Sequence, residues 1–194
     1  MKFPLQLSFK KIALAPQISV TDADGSLRLY VRQKLFKLKE AVTVFADSDQ
    51  RETLYTIQAD RVLDFGARYK IADRNGAELG SVKREGMRSF WKAHYSIERG
   101  GREVMTIREE NPWVKVVDSL IGEIPVVGLL TGYMFHPAFA VTRADGSVVL
   151  RVVKQPALFE GRFVIEKHAE LDAHDEGLAV LSILMMTLLE RARG

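Results

Sequence analysis

The 194-residue sequence contains no cysteine. This absence excludes disulfide bonds, zinc sites built on thiolates, a cysteine nucleophile and S-palmitoylation. Charge of one sign is not in large excess either, because 28 Lys and Arg face 25 Asp and Glu, for a formal net charge of +3. Dedicated nucleic-acid-binding proteins carry a stronger basic excess. With 47% hydrophobic residues, the chain is predicted to form a single globular domain over residues 1–194.

Motifs of known catalytic chemistry are also missing. The sequence has no Gly-x-Ser-x-Gly, no phosphate-binding loop and no Gly-x-Gly-x-x-Gly. His168 and His174 lie among acidic residues, but they lack the His-Glu-x-x-His spacing that puts two imidazoles and a base on one helical face. His94 is predicted on a strand surface and His136 at a turn. We therefore expect no catalytic residue, no metal and no cofactor.

No apolar run of signal-peptide length follows the first residues, because Lys10 and Lys11 interrupt it. The longest apolar run, residues 178–189, would span roughly 18 Å as a helix, less than the ~30 Å hydrocarbon core of a bilayer. A transmembrane helix is therefore not predicted. We expect a cytoplasmic protein, and peripheral attachment to a membrane stays open.

Hairpins are the repeated element of the sequence. Apolar and polar residues alternate on either side of short turns, and Asn-Gly and Asp-Gly favour the positive φ that tight turns require. The clearest turns are predicted at Asn75-Gly76 and Asp145-Gly146. Alternation then places Ile71 and Val141 inside and Lys70 outside. Weaker copies lie at residues 18–31, 42–57 and 95–101.

The C-terminal segment favours a closed barrel over a sandwich. Residues 178–189 are apolar on nearly every helical face, with acidic residues before them and basic residues after, as the helix dipole prefers. A helix that is apolar all round must be buried on all sides. We therefore predict a mainly β fold, an antiparallel closed β-barrel that encloses a hydrophobic C-terminal helix.

Basic residues concentrate in the middle of the chain. Residues 28–108 carry 17 Lys and Arg against 11 Asp and Glu, whereas residues 109–194 carry 8 against 12. Cations on neighbouring strands can clamp phosphate oxygens, and each one near an anionic surface contributes roughly 1 kcal/mol. An ordinary solvated barrel face is the alternative. The candidate anionic-ligand residues form two groups: Arg28, Arg32 and Lys34, and then Lys83, Arg84, Arg88 and Lys92.

A strongly apolar stretch, residues 111–137, interrupts the hairpin pattern. Two interpretations stay open: the segment completes the barrel, or it forms a hydrophobic lip for a lipid chain or a protein partner. Exposure would decide between them, since apolar patches above a few hundred Å² are rare on monomers unless they have a function. The lip would consist of Trp113, Leu129, Leu130, Tyr133, Met134 and Phe135.

The sequence resembles the LURP-one-related family of the Tubby C-terminal-like superfamily, which includes the phospholipid scramblases. The resemblance rests on residues 30–36, on the hairpin at 72–76, on residues 79–82 and on the apolar helix. It implies an antiparallel barrel of about twelve strands wrapped around the helix. It implies no shared enzymatic activity. In Tubby-like proteins the barrel surface binds phosphoinositide headgroups through basic side chains on neighbouring strands.

The expected function is thus a noncatalytic binding module that contacts anionic phospholipid headgroups, such as phosphoinositides, or a protein partner through a basic barrel face. Two alternatives are a nucleic-acid contact module and an enzyme whose site is assembled from separate strands. Nucleic acid is disfavoured because exposed aromatic residues would be needed, and alternation buries Trp91 and Tyr95. A small-molecule substrate is disfavoured because the helix fills the barrel. Scramblase activity is not expected without palmitoylated cysteines or an acidic calcium loop.

Overall fold

The computed structural model describes residues 1–10, 17–32, 41–61, 66–85, 94–110, 138–156 and 160–193. These residues form strands and one long helix. The elements are β1 (Leu5–Lys10), β2 (Gln17–Thr21), β3 (Leu27–Arg32), β4 (Val42–Phe45), β5 (Thr53–Ala59), β6 (Arg68–Asp73), β7 (Glu78–Arg84), β8 (His94–Arg99), β9 (Arg102–Glu109), β10 (Ala138–Arg143), β11 (Val148–Gln155), β12 (Glu160–Lys167) and α1 (Ala173–Arg193).

The twelve strands close into one antiparallel barrel, so the predicted fold class is confirmed. Each strand pairs with the next strand in sequence, and β1 closes the ring against β12, with Leu5 opposite Ile165. Within the part of the chain that the structure describes, the fewest cross-strand pairs join β3 and β4, where Tyr30 is opposite Phe45. Closure matters because an unpaired sheet edge invites association with other chains.

The two ends of the barrel differ. Because the strands alternate in direction, the short turns that follow β2, β4, β6, β8 and β10 share one end, here called the turn end. Each odd-numbered strand finishes at the opposite end, here called the connection end. Helix α1 begins at the turn end, where Asp175 pairs with Arg99 at 2.7 Å. It finishes at the connection end, where Glu190 pairs with Arg84 at 3.4 Å.

The predicted turns are confirmed. Gly76 and Gly146 have φ of 83° and 88°, and each donates its N–H to the carbonyl three residues earlier at 3.0 Å. Gly25 repeats this geometry with φ of 78°. Between β4 and β5 the equivalent left-handed position is taken by Gln50, with φ of 63°, so no glycine marked that turn in the sequence.

The core follows the predicted alternation. Ile71 and Val141 are fully buried, whereas Lys70 is exposed. Along α1 the apolar residues from Leu178 to Leu188 are at most 2% exposed, so the predicted enclosure of the helix is confirmed. Burying large aliphatic side chains on every face of a helix provides roughly 1.5–3 kcal/mol for each, which makes α1 the main apolar filling of the barrel.

One glycine allows the helix to approach the wall closely. A Cβ atom at Gly80 in β7 would collide with the carbonyl oxygen of Glu98 and would lie 2.9 Å from Cδ2 of Leu178. At Gly177, inside α1, a Cβ would meet nothing within 4 Å. The two glycines therefore differ in their tolerance of a methyl group.

We expect Gly80→Ala to destabilise the protein by about 1–3 kcal/mol, since overpacking forces neighbouring backbone to shift. Gly177→Ala is the matched control and should be neutral or stabilising by up to ~1 kcal/mol, because alanine is the better helix former. Urea unfolding of both variants measures the difference. Equal destabilisation by both substitutions would contradict close packing of α1 against β7.

Candidate anionic-ligand surface

The structure describes four of the seven candidate cations. Arg28 and Arg32 lie on β3, and Lys83 and Arg84 lie on β7. Lys34, Arg88 and Lys92, like the apolar segment 111–137, lie outside the described residues. A basic face shared by both groups would require β3 and β7 to be neighbours, but β4, β5 and β6 stand between them in the barrel order. Alternation along a strand predicts the face of a residue, but not which strands are neighbours.

Arg28 faces outward and is engaged by a buried carboxylate. Its Nη2 lies 2.5 Å from Oδ2 of Asp22, whose side chain is 0% exposed, and Nε donates to the same oxygen at 2.6 Å. The backbone N–H groups of Asp24 and Ser26 donate to Oδ1 of Asp22 at 3.2 Å. Burial raises the pKa of Asp22, but these hydrogen bonds and the Arg28 charge bring it below its ordinary value. Arg28 therefore stabilises the β2–β3 turn.

Lys83 also faces outward and lies in a network of paired charges. Its Nζ is 3.4 Å from Oε1 of Glu85, which accepts a hydrogen bond from the Ser96 hydroxyl at 2.8 Å. Beside it, Arg68 on β6 pairs with Glu98 on β8 at 3.0 Å. Each of these cations has a carboxylate within reach, so this part of the outer face is close to neutral.

Arg84 does not lie on the outer face, which corrects the prediction. Arg84 lies two residues after the buried Val82 in β7, so both side chains are on the inner side of the strand. Its guanidinium lies at the connection end of the barrel. There it pairs with Glu190 of α1 and lies 5.9 Å from the ring centroid of Tyr95. The Tyr95 hydroxyl donates a hydrogen bond to Glu190. Arg84 thus anchors the C-terminal part of α1 to the wall.

Arg32, the last residue of β3, is exposed, and no carboxylate of the described residues pairs with it. Its backbone is opposite Gln17 of β2, which is opposite Lys10 of β1. Cross-strand partners share a face, so Arg32 and Lys10 lie on the outer surface two strands apart, about 10 Å. Lys10 was not among the predicted residues, although its alternation with Leu7 and Phe9 contains the signal.

The histidine and carboxylate cluster at the start of α1 is a structural group. Ligand atoms of Asp172, His174 and Asp175 lie within 4.8 Å of one another. However, Asp172 accepts the N–H of Asp175 at 2.7 Å, as an N-cap does, and Asp175 pairs with Arg99. The hydrogen bond from Asp175 lowers the pKa of Asp172. His168 lies 3.4 Å from Glu166 and is separate from this cluster.

The fold and surface together define a closed antiparallel barrel with a buried helix and exposed cations on its outer face. A sequence profile of the LURP-one-related family matches residues 27–166, so the chain belongs to this family, as its sequence pattern suggested. No curated protein matches the chain in sequence. Family and fold fit a noncatalytic binding module. No helix among the described residues is long and apolar enough to span a membrane.

The Arg28 contact predicts a shift in acid unfolding. A carboxyl with a lowered folded pKa contributes stability above its unfolded pKa, and that contribution is lost as pH falls through the folded value. In Arg28→Gln the burial of Asp22 is no longer offset by a charge, so its folded pKa rises. We expect acid unfolding, followed by circular dichroism, to begin at higher pH than in the unmodified protein.

Arg32→Gln is the matched control, because it removes an exposed arginine of the same strand that has no such partner among the described residues. Its acid unfolding should coincide with that of the unmodified protein. Identical curves for both variants would show that Arg28 does not stabilise the folded state through Asp22.

Proposed function

We propose that this protein is a noncatalytic, cytoplasmic binding module whose barrel surface contacts anionic phospholipid headgroups, with Arg32 and Lys34, two residues further along the sequence, as principal contacts. The observation that carries the proposal is the exposed side chain of Arg32, without a described carboxylate partner, on the same outer surface as Lys10. The resemblance to Tubby-like proteins, which bind phosphoinositides through barrel cations, supports the same ligand class.

The arrangement suits a headgroup surface better than a single small anion. The backbones of Arg32 and Lys10 lie about 10 Å apart, so their side chains can contact separate phosphates of one headgroup or of adjacent lipids. Each contact contributes only roughly 1 kcal/mol, so useful affinity requires several of them at once. A membrane surface supplies many phosphates together.

The barrel interior supports a noncatalytic function. Side chains of α1 fill it, from Leu178 at the turn end to Leu188 near the connection end. Burial and the neighbouring Glu190 raise the pKa of Tyr95, which faces this interior. Its hydroxyl therefore stays protonated and is a poor nucleophile or base at neutral pH.

The proposal is tested by flotation of the protein with vesicles of phosphatidylcholine alone, with added phosphatidylserine, and with added phosphatidylinositol bisphosphate. The unmodified protein should float with anionic vesicles at low salt and dissociate at several hundred millimolar, since the Debye length falls from ~30 Å at 0.01 M to ~3 Å at 1 M. Arg32→Glu combined with Lys34→Glu should eliminate flotation.

The matched control is Arg74→Glu combined with Arg102→Glu, which makes the same charge change with exposed arginines at the turn end. It should float normally, and both double variants should keep nearly the same melting temperature, because surface substitutions usually cost under ~0.5 kcal/mol. If the unmodified protein fails to bind anionic vesicles at low salt, the phospholipid proposal is wrong, and a protein partner becomes the better hypothesis.

A further inference from the structure

Charge is divided between the two ends of the barrel. Each described residue can be assigned to the end nearer to it along its strand, turn or helix. The connection end then carries 12 Lys and Arg against 6 Asp and Glu, a net charge of +6. The turn end carries 9 against 15, a net charge of −6. The described residues together are neutral, so this separation is invisible in the total charge.

The separation is stronger among exposed side chains. At the connection end the carboxylates whose exposure is described are partly buried, and even the side chain of Asp60, in an exposed residue, is only 24% exposed. It lies beside Arg61, 3.4 Å from its Nε. Among the described residues, seven cations are exposed at this end: Lys10, Arg32, Arg61, Lys70, Arg108, Lys154 and Arg162.

These cations surround the rim of the barrel and are not confined to one side. Arg32 is the last residue of β3, and Arg108 is next to last in β9. In the ring of twelve strands β3 and β9 are six strands apart, on opposite sides of the barrel. Lys10 at the end of β1 and Lys154 near the end of β11 lie between them on one arc, and Arg61 follows β5 on the other.

The turn end has the opposite character. Its six connections, from the β2–β3 turn to the segment before α1, hold eight carboxylates and two arginines. Several carboxylates at this end accept hydrogen bonds from backbone N–H groups within the turns. Asp73 and Asp145, for example, each accept an N–H two residues later at 2.8 Å. This end would be repelled by an anionic surface.

Building on the proposed function, we infer that the barrel meets an anionic bilayer end-on, with the connection end against the headgroups and the turn end directed away. A body that is positive at one end and negative at the other is oriented by the field of a charged surface, and this field is strongest within a Debye length of it. Contact through the β1–β3 side alone would leave the cations of β9 unused.

Single charge reversals separate end-on from side-on contact. If contact is end-on, Arg108→Glu should weaken partitioning onto phosphatidylserine vesicles about as much as Arg32→Glu, by about fivefold or more for each. Side-on contact through β1–β3 predicts full binding by Arg108→Glu. Arg102→Glu, at the start of the same strand β9, is the matched control and should bind like the unmodified protein.

Fluorescent labels report the orientation directly. Because the chain has no cysteine, one introduced cysteine gives one labelled site. An environment-sensitive dye at Ala41→Cys or Pro156→Cys would sit at the connection end, and at Ser48→Cys or Asn75→Cys at the turn end; all four positions are exposed. Thr56→Cys and Thr106→Cys place it on the outer wall at mid-barrel.

On addition of phosphatidylserine vesicles, end-on binding shields only the connection-end labels from an aqueous quencher. Shielding of a mid-barrel or turn-end label, with the connection-end labels still quenched, would overturn the orientation while leaving phospholipid binding intact. Flotation of the same labelled proteins gives the separate readout. If none of them floats, the proposed phospholipid binding fails, and the inferred orientation fails with it.

Discussion

The helix α1 is the constraint on which the rest of the structure depends. Its apolar residues occupy every face, so it is stable only when it is surrounded, and a closed ring of antiparallel strands surrounds it without leaving a sheet edge. Close approach between helix and wall then requires Gly80 opposite Leu178. Because the helix fills the interior, the proposed headgroup contact falls on the outside of the barrel.

Ion pairs within the barrel determine which of the candidate cations are available for the proposed headgroup contact. Asp22 engages Arg28, Glu85 engages Lys83 and Glu190 engages Arg84. The first of these pairs closes a turn, the second belongs to a neutral network, and the third joins the helix to the wall. What distinguishes Arg32 is the lack of such a partner among the described residues, rather than its position in a basic segment. A count of charges along the chain does not separate these cases.

The candidate site was therefore predicted only in part. Alternation along β3 correctly placed Arg28 and Arg32 outside, since a strand has a period of two. It could not show that three strands separate β3 from β7, or that Asp22, six residues before Arg28, would return to pair with it. Alternation indicates the outward face of Lys10, but its alignment with Arg32 through Gln17 exists only once β1, β2 and β3 are side by side.

The sequence by itself determined the hairpins and the apolar helix, because turn chemistry and hydrophobic periodicity act over a few residues. The closed barrel followed from the need to surround that helix on all sides. The left-handed Gln50 could not be predicted from its residue type, since glutamine rarely adopts a positive φ; its N–H donates to the carbonyl of Asp47 within the same turn. Only the tertiary structure decided which cations are neutralised and how charge divides between the barrel ends. Both depend on distances between residues far apart in sequence, and electrostatic energy follows distance in space.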